Sequence, residues 1–217
     1  MNTLPYNQSY NQKLKYNYKP ANEYNPKTHK FYGSVSQVLH LLKNKNNLTI
    51  AEIGVFRGES SLALFNYCDI KTAYLIDPFD KEIADSFNST DGTNVHLNDD
   101  LFEQTTNALK PFENRIVYLR EVSNTAHVHI PDESLDFIFI DGCHTYECVY
   151  RDLTNYIPKV KKGGIVSGDD FSNKFSGFGI LEAVNDVLSD LGYEEIDVYK
   201  HSYKPTDYYS AFAFEKL

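Results

Sequence analysis

Four side chains in the second half of the chain have the types and spacing to do chemistry together. Asp141 and His144 lie in Phe139-Ile140-Asp141-Gly142-Cys143-His144, and Asp169 and Asp170 end Ile165-Val166-Ser167-Gly168-Asp169-Asp170. Each motif is a short apolar run that stops at carboxylates. In an α/β protein such a run reads as a buried parallel strand, and ligands bind outside the C-terminal ends of parallel strands. If the two strands are neighbours, Asp141, Asp169 and Asp170 share one rim with His144 beside them. Hard oxygen donors at one place suit a divalent cation such as Mg²⁺, and an imidazole near its ordinary pKa suits a base.

The first half of the chain supplies a second motif. Glu52-Ile53-Gly54-Val55-Phe56-Arg57-Gly58 reads as a strand, a glycine turn and a helix start. The glycines let the backbone turn sharply beneath a ligand, and a helix N-terminus favours a carboxylate or phosphate. Asp77 ends the next apolar run, where a carboxylate can accept hydrogen bonds from both hydroxyls of a ribose. A nucleoside site follows, and both NAD and S-adenosylmethionine fit it. The NAD fingerprint requires three glycines, and Phe56 stands at the middle one. A pair of β-type segments at the C-terminus, Glu195 to Tyr199 and Tyr208 to Phe214, tips the balance towards the methyl donor.

The elements that must hold these residues alternate. The pattern predicts helices over 35–42, 59–67, 101–109, 146–157 and 180–191, the last ended by Gly192. It predicts strands over 48–53, 71–76, 115–119, 135–140 and 164–166. Strand and helix in alternation give a parallel sheet with right-handed crossovers, and the closing strand pair gives an antiparallel edge. Residues 81–99 read as a polar surface insertion that covers the site. Residues 1–32 read as an irregular N-terminal arm, a cap over the site or a homodimer contact, whose Tyr6, Tyr10, Tyr16, Tyr18 and Tyr24 line that pocket or contact. Residues 33–217 form the catalytic domain.

Composition narrows the partners. At 217 residues the chain makes one domain with a full core. A formal charge of −9 argues against a nucleic-acid backbone as partner. The one dense basic spot, Lys159, Lys161 and Lys162 before Gly163-Gly164, suits a solvated turn. The absence of long apolar runs excludes a membrane span, and the polar N-terminus lacks a secretory signal, so a cytoplasmic protein is expected. Cys68, Cys143 and Cys148 are odd in number and lack zinc spacing, which reads as reduced thiols. His127 and His129 carry no metal pattern, while His201, Phe171, Lys174, Phe175 and Phe178 are candidates to line an acceptor pocket or simply to pack.

Taken together, Glu52-Ile-Gly-x-x-x-Gly58, Asp77, Phe139-Ile-Asp-Gly-x-His144 and Gly163-Gly-x-x-x-Gly-Asp-Asp170 resemble the class I S-adenosylmethionine-dependent methyltransferases over residues 48–190. The closest group is the metal-dependent O-methyltransferases that modify macrolide sugars. The catechol and caffeoyl-CoA enzymes are more distant: the catechol type carries Lys where His144 stands and Asn where Asp170 stands. The resemblance implies a doubly wound, Rossmann-like sheet of seven strands, mostly parallel, with the last antiparallel. It implies that Glu52, Gly54 and Gly58 approach the amino-acid end of the cofactor, Asp77 the ribose and Ser123 the adenine. It further implies that Asp141, Asp169 and Asp170 hold Mg²⁺ or a similar ion, that Asp141 also borders the cofactor, and that His144 is the base. A small hydroxylated acceptor, a sugar or nucleotide-linked sugar, is the expected substrate. A metal-independent N- or carboxyl-methyltransferase, an aminopropyl transferase and a non-catalytic cofactor-binding protein remain as alternatives.

Overall fold

The chain builds eight strands: β1 (Lys15–Pro20), β2 (Leu48–Ile53), β3 (Ile70–Ile76), β4 (Ile116–Leu119), β5 (Leu135–Ile140), β6 (Val160–Gly168), β7 (Glu195–Lys200) and β8 (Ser210–Glu215). They form one sheet in the order β1-β7-β8-β6-β5-β2-β3-β4. The structure is a computed structural model and describes residues 13–20, 34–80, 82–83, 100–171, 178–200 and 210–217. The α-helices are α1 (Glu59–Tyr67), α2 (Leu101–Leu109), α3 (Ser123–Ala126), α4 (Tyr146–Tyr156) and α5 (Ile180–Asp190).

Central strands here are apolar on both faces because helices cover both. Along β5, Ile138 and Ile140 point into the core that holds Val149, Leu153 and Tyr156 of α4 and Ile180, Leu181 and Val184 of α5. Phe137 and Phe139 point the opposite way, into the core with Leu64 and Phe65 of α1 and Leu109 of α2. Ile138, Phe137 and Phe139 are fully buried. This is the Rossmann-like α/β architecture that the alternating pattern predicts.

One expectation about the sheet is corrected. The sheet has eight strands rather than seven, because part of the N-terminal segment read as irregular is β1, parallel to β7 from Lys15↔Glu195 to Pro20↔Lys200. Lys15 pairs with Glu195 and Lys19 with Asp197 across that register. Tyr16 meets Phe171 edge-on, with centroids 5.2 Å apart. An edge strand with one wet face needs few aliphatic residues, so Lys15-Tyr-Asn-Tyr-Lys19 satisfies it without looking like a core strand. The last strand, β8, is antiparallel as expected, lying between β6 and β7 and running opposite to both.

Local differences are smaller. The helix predicted over 35–42 is two 3-10 turns, Ser34–Gln37 and Leu39–Leu42. β6 begins at Val160, earlier than predicted, and carries the lysine cluster into the sheet margin. Lys159 pairs with Asp132 and Lys161 with Asp136, each at 2.6 Å, so ion pairs at the sheet margin replace the solvated turn expected there. The expected insertion over 81–99 lies almost wholly outside the described residues, as do Tyr6, Tyr10, Tyr24, Lys174, Phe175 and His201. Among the described residues no helix is long and apolar enough to cross a membrane.

Candidate active site

The loops that follow β2, β3 and β5 are stitched together at one rim. Gly54 N donates to Ile76 O at 2.9 Å, and Asp141 N donates to Ile53 O at 2.8 Å. Gly54 adopts a φ of 83°, and a Cβ on it would stand 2.0 Å from the carbonyl oxygen of Asp141. Only glycine satisfies both the conformation and the approach. Phe56 follows in the left-handed region at φ 48°, and Gly58, at φ 76°, opens α1. The expected glycine turn and helix start are therefore in place, and Gly54 touches the Asp141 loop.

Asp77 shapes that turn. Its Oδ2 accepts hydrogen bonds from Val55 N at 3.0 Å and Phe56 N at 2.9 Å, and its Oδ1 accepts one from Phe79 N at 2.7 Å. Burial pushes its pKa up while these amides pull it back. A carboxylate oxygen accepts about two bonds, so Oδ1 keeps capacity for a ribose hydroxyl. Glu52, expected near the amino-acid end of the cofactor, stands at the end of β2 just before this turn. It is only 1 % exposed, sits beneath the loop and accepts a short hydrogen bond from Ser61 Oγ. Burial first, and then Asp141 and Asp77, raise it to about 8. That direction favours its uncharged form.

Asp141, His144 and Asp170 converge, each offering one ligand atom within 4.8 Å of the others. His144 Nε2 lies 3.4 Å from Asp170 Oδ2 and 3.9 Å from Asp141 Oδ1. The Phe178 ring stacks on His144 with centroids 4.5 Å apart. Asp170 holds the left-handed φ of 53°, a strained conformation for a residue with a side chain. Its side chain is 13 % exposed, and its Oδ1 is enclosed with no hydrogen-bond partner among the described residues. Burial raises its pKa above the usual carboxylate range, His144 lowers it and Asp141 raises it. Asp169 Oδ1 accepts a hydrogen bond from Gln37 Nε2 at 3.0 Å. Of the three aspartates that the sequence groups with a histidine, Asp141 and Asp170 gather about His144 and Asp169 adjoins Asp170. An enclosed, unpartnered carboxylate oxygen beside a second carboxylate fits a divalent cation.

Ser123 opens α3 just beyond β4, and Asp77 N donates to Leu119 O at 3.2 Å, which ties the end of β4 to the same rim. Tyr156 Oη donates to Ser123 O at 2.8 Å. Burial raises the pKa of Asp152, on α4, to about 7, and Ser123 draws it down.

The cysteine expectation is corrected. Cys143 and Cys148 form a disulfide with Cα atoms 5.8 Å apart. Thr145 caps α4, its Oγ1 accepting from Cys148 N at 3.4 Å, and the first helical turn brings Cys148 over the loop that carries Cys143. Cys68 stays a free thiol, raised by burial to about 11, too high for a reactive thiolate. His129 pairs with Glu121 at 3.0 Å, outside the acidic cluster. Gln37 and Asp152, 2 % exposed each, are additions that sequence reasoning missed. Gln37 lies in an apolar turn without a motif. Asp152 did give a signal, an acidic residue on the apolar face of a helix.

Comparison with known proteins agrees with this fold and rim. Residues 51–171 match the family described as Methyltransferase domain, and the chain belongs to that family of S-adenosylmethionine-dependent enzymes with the class I fold. The uncharacterized protein R132 of Acanthamoeba polyphaga mimivirus is 27% identical over 171 residues, covering 74% of this chain and 71% of its own. SMU.1697c of Streptococcus mutans, a methyltransferase by its description and solved with SAH, aligns with a TM-score of 0.61 at 10% identity, over 86% of this chain and 99% of its own. A precorrin 8w decarboxylase of Methanobacterium thermoautotrophicum aligns at 0.59 with 16% identity, over 92% and 100%. At these identities the two structures speak for the fold alone.

Proposed function

We propose that the chain is a divalent-metal-dependent O-methyltransferase acting on a small hydroxylated acceptor, a sugar or nucleotide-linked sugar. The observation that carries this reading is the convergence of Asp141, His144 and Asp170 beside the Gly54 turn, with Oδ1 of Asp170 enclosed and unpartnered among the described residues. S-adenosylmethionine, when bound, supplies a methyl group on a sulfonium, and a divalent cation lowers the pKa of a coordinated hydroxyl.

The chain's own residues do the rest. The turn at Gly54 and the N-terminus of α1 receive the carboxylate of the amino-acid end. Asp77 Oδ1 accepts from a ribose hydroxyl, and Ser123 lies at the base. Asp141 and Asp170 are the oxygen donors for the cation, with Asp169 held next to them by Gln37. His144 takes the acceptor proton at Nε2, and the nearby Asp170 and Asp141 carboxylates stabilise the imidazolium. Phe178 over the imidazole offers an apolar wall for the C–H face of a sugar ring. The preference for a sugar rests on the Asp-x-x-His and Asp-Asp motifs, and the charge of −9 disfavours a nucleic-acid acceptor.

One observation favours a second reading. A His144–Asp170 pair at 3.4 Å can act as base and orienting acid without an ion. Two measurements separate the readings: calorimetric titration with Mn²⁺, and methyl transfer from labelled S-adenosylmethionine to a panel of sugars and nucleotide sugars with and without EDTA. The metal reading expects Mn²⁺ binding that Asp170→Asn weakens at least tenfold, and turnover abolished by EDTA. Turnover indifferent to EDTA in a protein that binds no Mn²⁺ would leave the metal-independent pair.

A further inference from the structure

Cys143 and Cys148 make the one disulfide among the described residues, and it closes around the proposed base. The two cysteines stand 5 positions apart with Cα atoms 5.8 Å from each other, so His144 lies inside the covalent ring. Cys143 belongs to the loop that leaves β5, and Cys148 to the first turn of α4. The ring therefore spans the joint between strand and helix.

The neighbouring contacts decide what the bridge does. Asp141 is tied to the sheet, its N donating to Ile53 O at 2.8 Å. Gly142 follows, and a glycine passes little of that restraint along the chain. On the helix side, Cys148 N donates to Thr145 Oγ1 at 3.4 Å, and Cys143 Sγ stands 3.5 Å from the same oxygen. The first is long for such a bond, and sulfur is a weak partner. Gly179 N donates to His144 O at 2.9 Å and Phe178 stacks on the imidazole, but both partners precede α5. The bridge is the covalent tie that holds the His144 loop on α4.

Both cysteines are partly exposed, so a small dithiol reaches the sulfurs, and exposed disulfides are the ones that exchange readily. Cys68 does not compete. It closes α1 at the end away from Gly58, and burial pushes its thiol up to about 11. In the exchange, a reductant thiolate attacks one sulfur, and the Cys143–Cys148 bond breaks as a mixed disulfide forms. The reductant's second thiol then displaces the protein sulfur. Two electrons and two protons pass to the protein, leaving a pair of cysteine thiols and an oxidised dithiol.

We propose that Cys143 and Cys148 form a thiol–disulfide switch on the His144 loop. Closed, the bridge keeps His144 Nε2 at 3.4 Å from Asp170 and 3.9 Å from Asp141. Opened by a dithiol, it frees the loop about Gly142, His144 drifts from the carboxylates, and methyl transfer slows. The Gly54 turn and Asp77 keep their own hydrogen bonds, so cofactor binding stays. The effect on rate rests on His144 as the base, as read above; the effect on the loop does not.

The test compares the chain oxidised with glutathione disulfide and the chain reduced with dithiothreitol, each freed of reagent. Alkylation of the denatured chain reports the state by mass: Cys68 alone is labelled when the pair is closed, and all 3 cysteines when it is open. Hydrogen exchange across residues 142–149 should be roughly tenfold or more faster in the reduced chain, with Val55 and Phe56 unchanged. Reduction should lower kcat at least about tenfold and leave S-adenosylhomocysteine affinity within about twofold. Cys143→Ser/Cys148→Ser should match the reduced chain and ignore dithiothreitol; if it does not fold, reduced wild type carries the test. Equal exchange in the two states, or a pair that glutathione disulfide leaves open, would overturn the switch. Faster exchange with undiminished turnover would overturn it too. A chain that transfers no methyl group in either state, with exchange still set by the redox state, supports the clamp and contradicts the proposed reaction instead.

Discussion

Gly54 and Glu52 fix the floor of the site by opposite means, one through absence of a side chain and one through burial of a carboxyl. The Asp141 carbonyl occupies the space that a Cβ on Gly54 would need, at 2.0 Å. Gly54→Ala must therefore separate the loops after β2 and β5 as well as strain a φ of 83°. We expect a loss of about 3 kcal/mol in urea unfolding and a large loss of S-adenosylhomocysteine affinity in calorimetry. Glu52 gives a prediction in pH. Glu52 and Asp152 have folded-state pKa values raised to about 8 and about 7, by burial foremost. Acids raised in the folded state contribute their full stability below their unfolded pKa, and lose it as pH rises through the folded value. Stability should fall between pH 4.5 and pH 8. Glu52→Gln keeps an acceptor for Ser61 and cannot ionise, so its unfolding free energy should fall less over that window, by about 1–3 kcal/mol. An equal slope in the two proteins would show that Glu52 is ionised when folded. Residues of this kind were partly legible. Gly54, Asp77, Asp141, His144 and Asp170 stood in motifs, whereas Gln37 had no local pattern because its partner Asp169 is 132 positions away.

The elements differ in how much of their reason lies in local sequence. β2 and β5 are apolar runs bounded by turn residues, and such runs are readable because burial on both faces demands them. β1 is not, since half of it faces water and its acidic partners come from β7. Its attachment depends on a buried contact instead. Leu14 is 2 % exposed, and Asn185 Oδ1 of α5 accepts from Leu14 N at 3.0 Å and Lys13 N at 3.2 Å. Asn185→Ala should remove the acceptor that the Leu14 and Lys13 amides share, at a cost of about 1–3 kcal/mol. Trypsin should then cut at Lys13 and Lys15 faster than in wild type, while the remaining core resists. Unchanged cleavage would mean that the β1–β7 ladder alone holds the strand. The disulfide at the start of α4 was invisible for a related reason: a cysteine count carries no geometry, and only the cap at Thr145 brings Cys148 back over Cys143.

At the scale of the whole molecule, one sheet orders the chemistry. The rim runs from the acidic cluster at β5 and β6, across the Gly54 turn at β2, to Asp77 at β3 and Ser123 beyond β4. α4 spans that distance, since it starts next to His144 and ends against Ser123. The proposed cofactor and cation positions are thus separate along the rim but share the Asp141 loop through its contact with Gly54. This division predicts that cofactor binding does not require the ion, although turnover does. The most direct measurement is calorimetric titration of the purified chain with S-adenosylhomocysteine, in EDTA and in excess Mg²⁺. The account predicts binding in the micromolar range in both buffers, of similar affinity. Absence of binding in both would contradict the nucleoside site on which everything else rests.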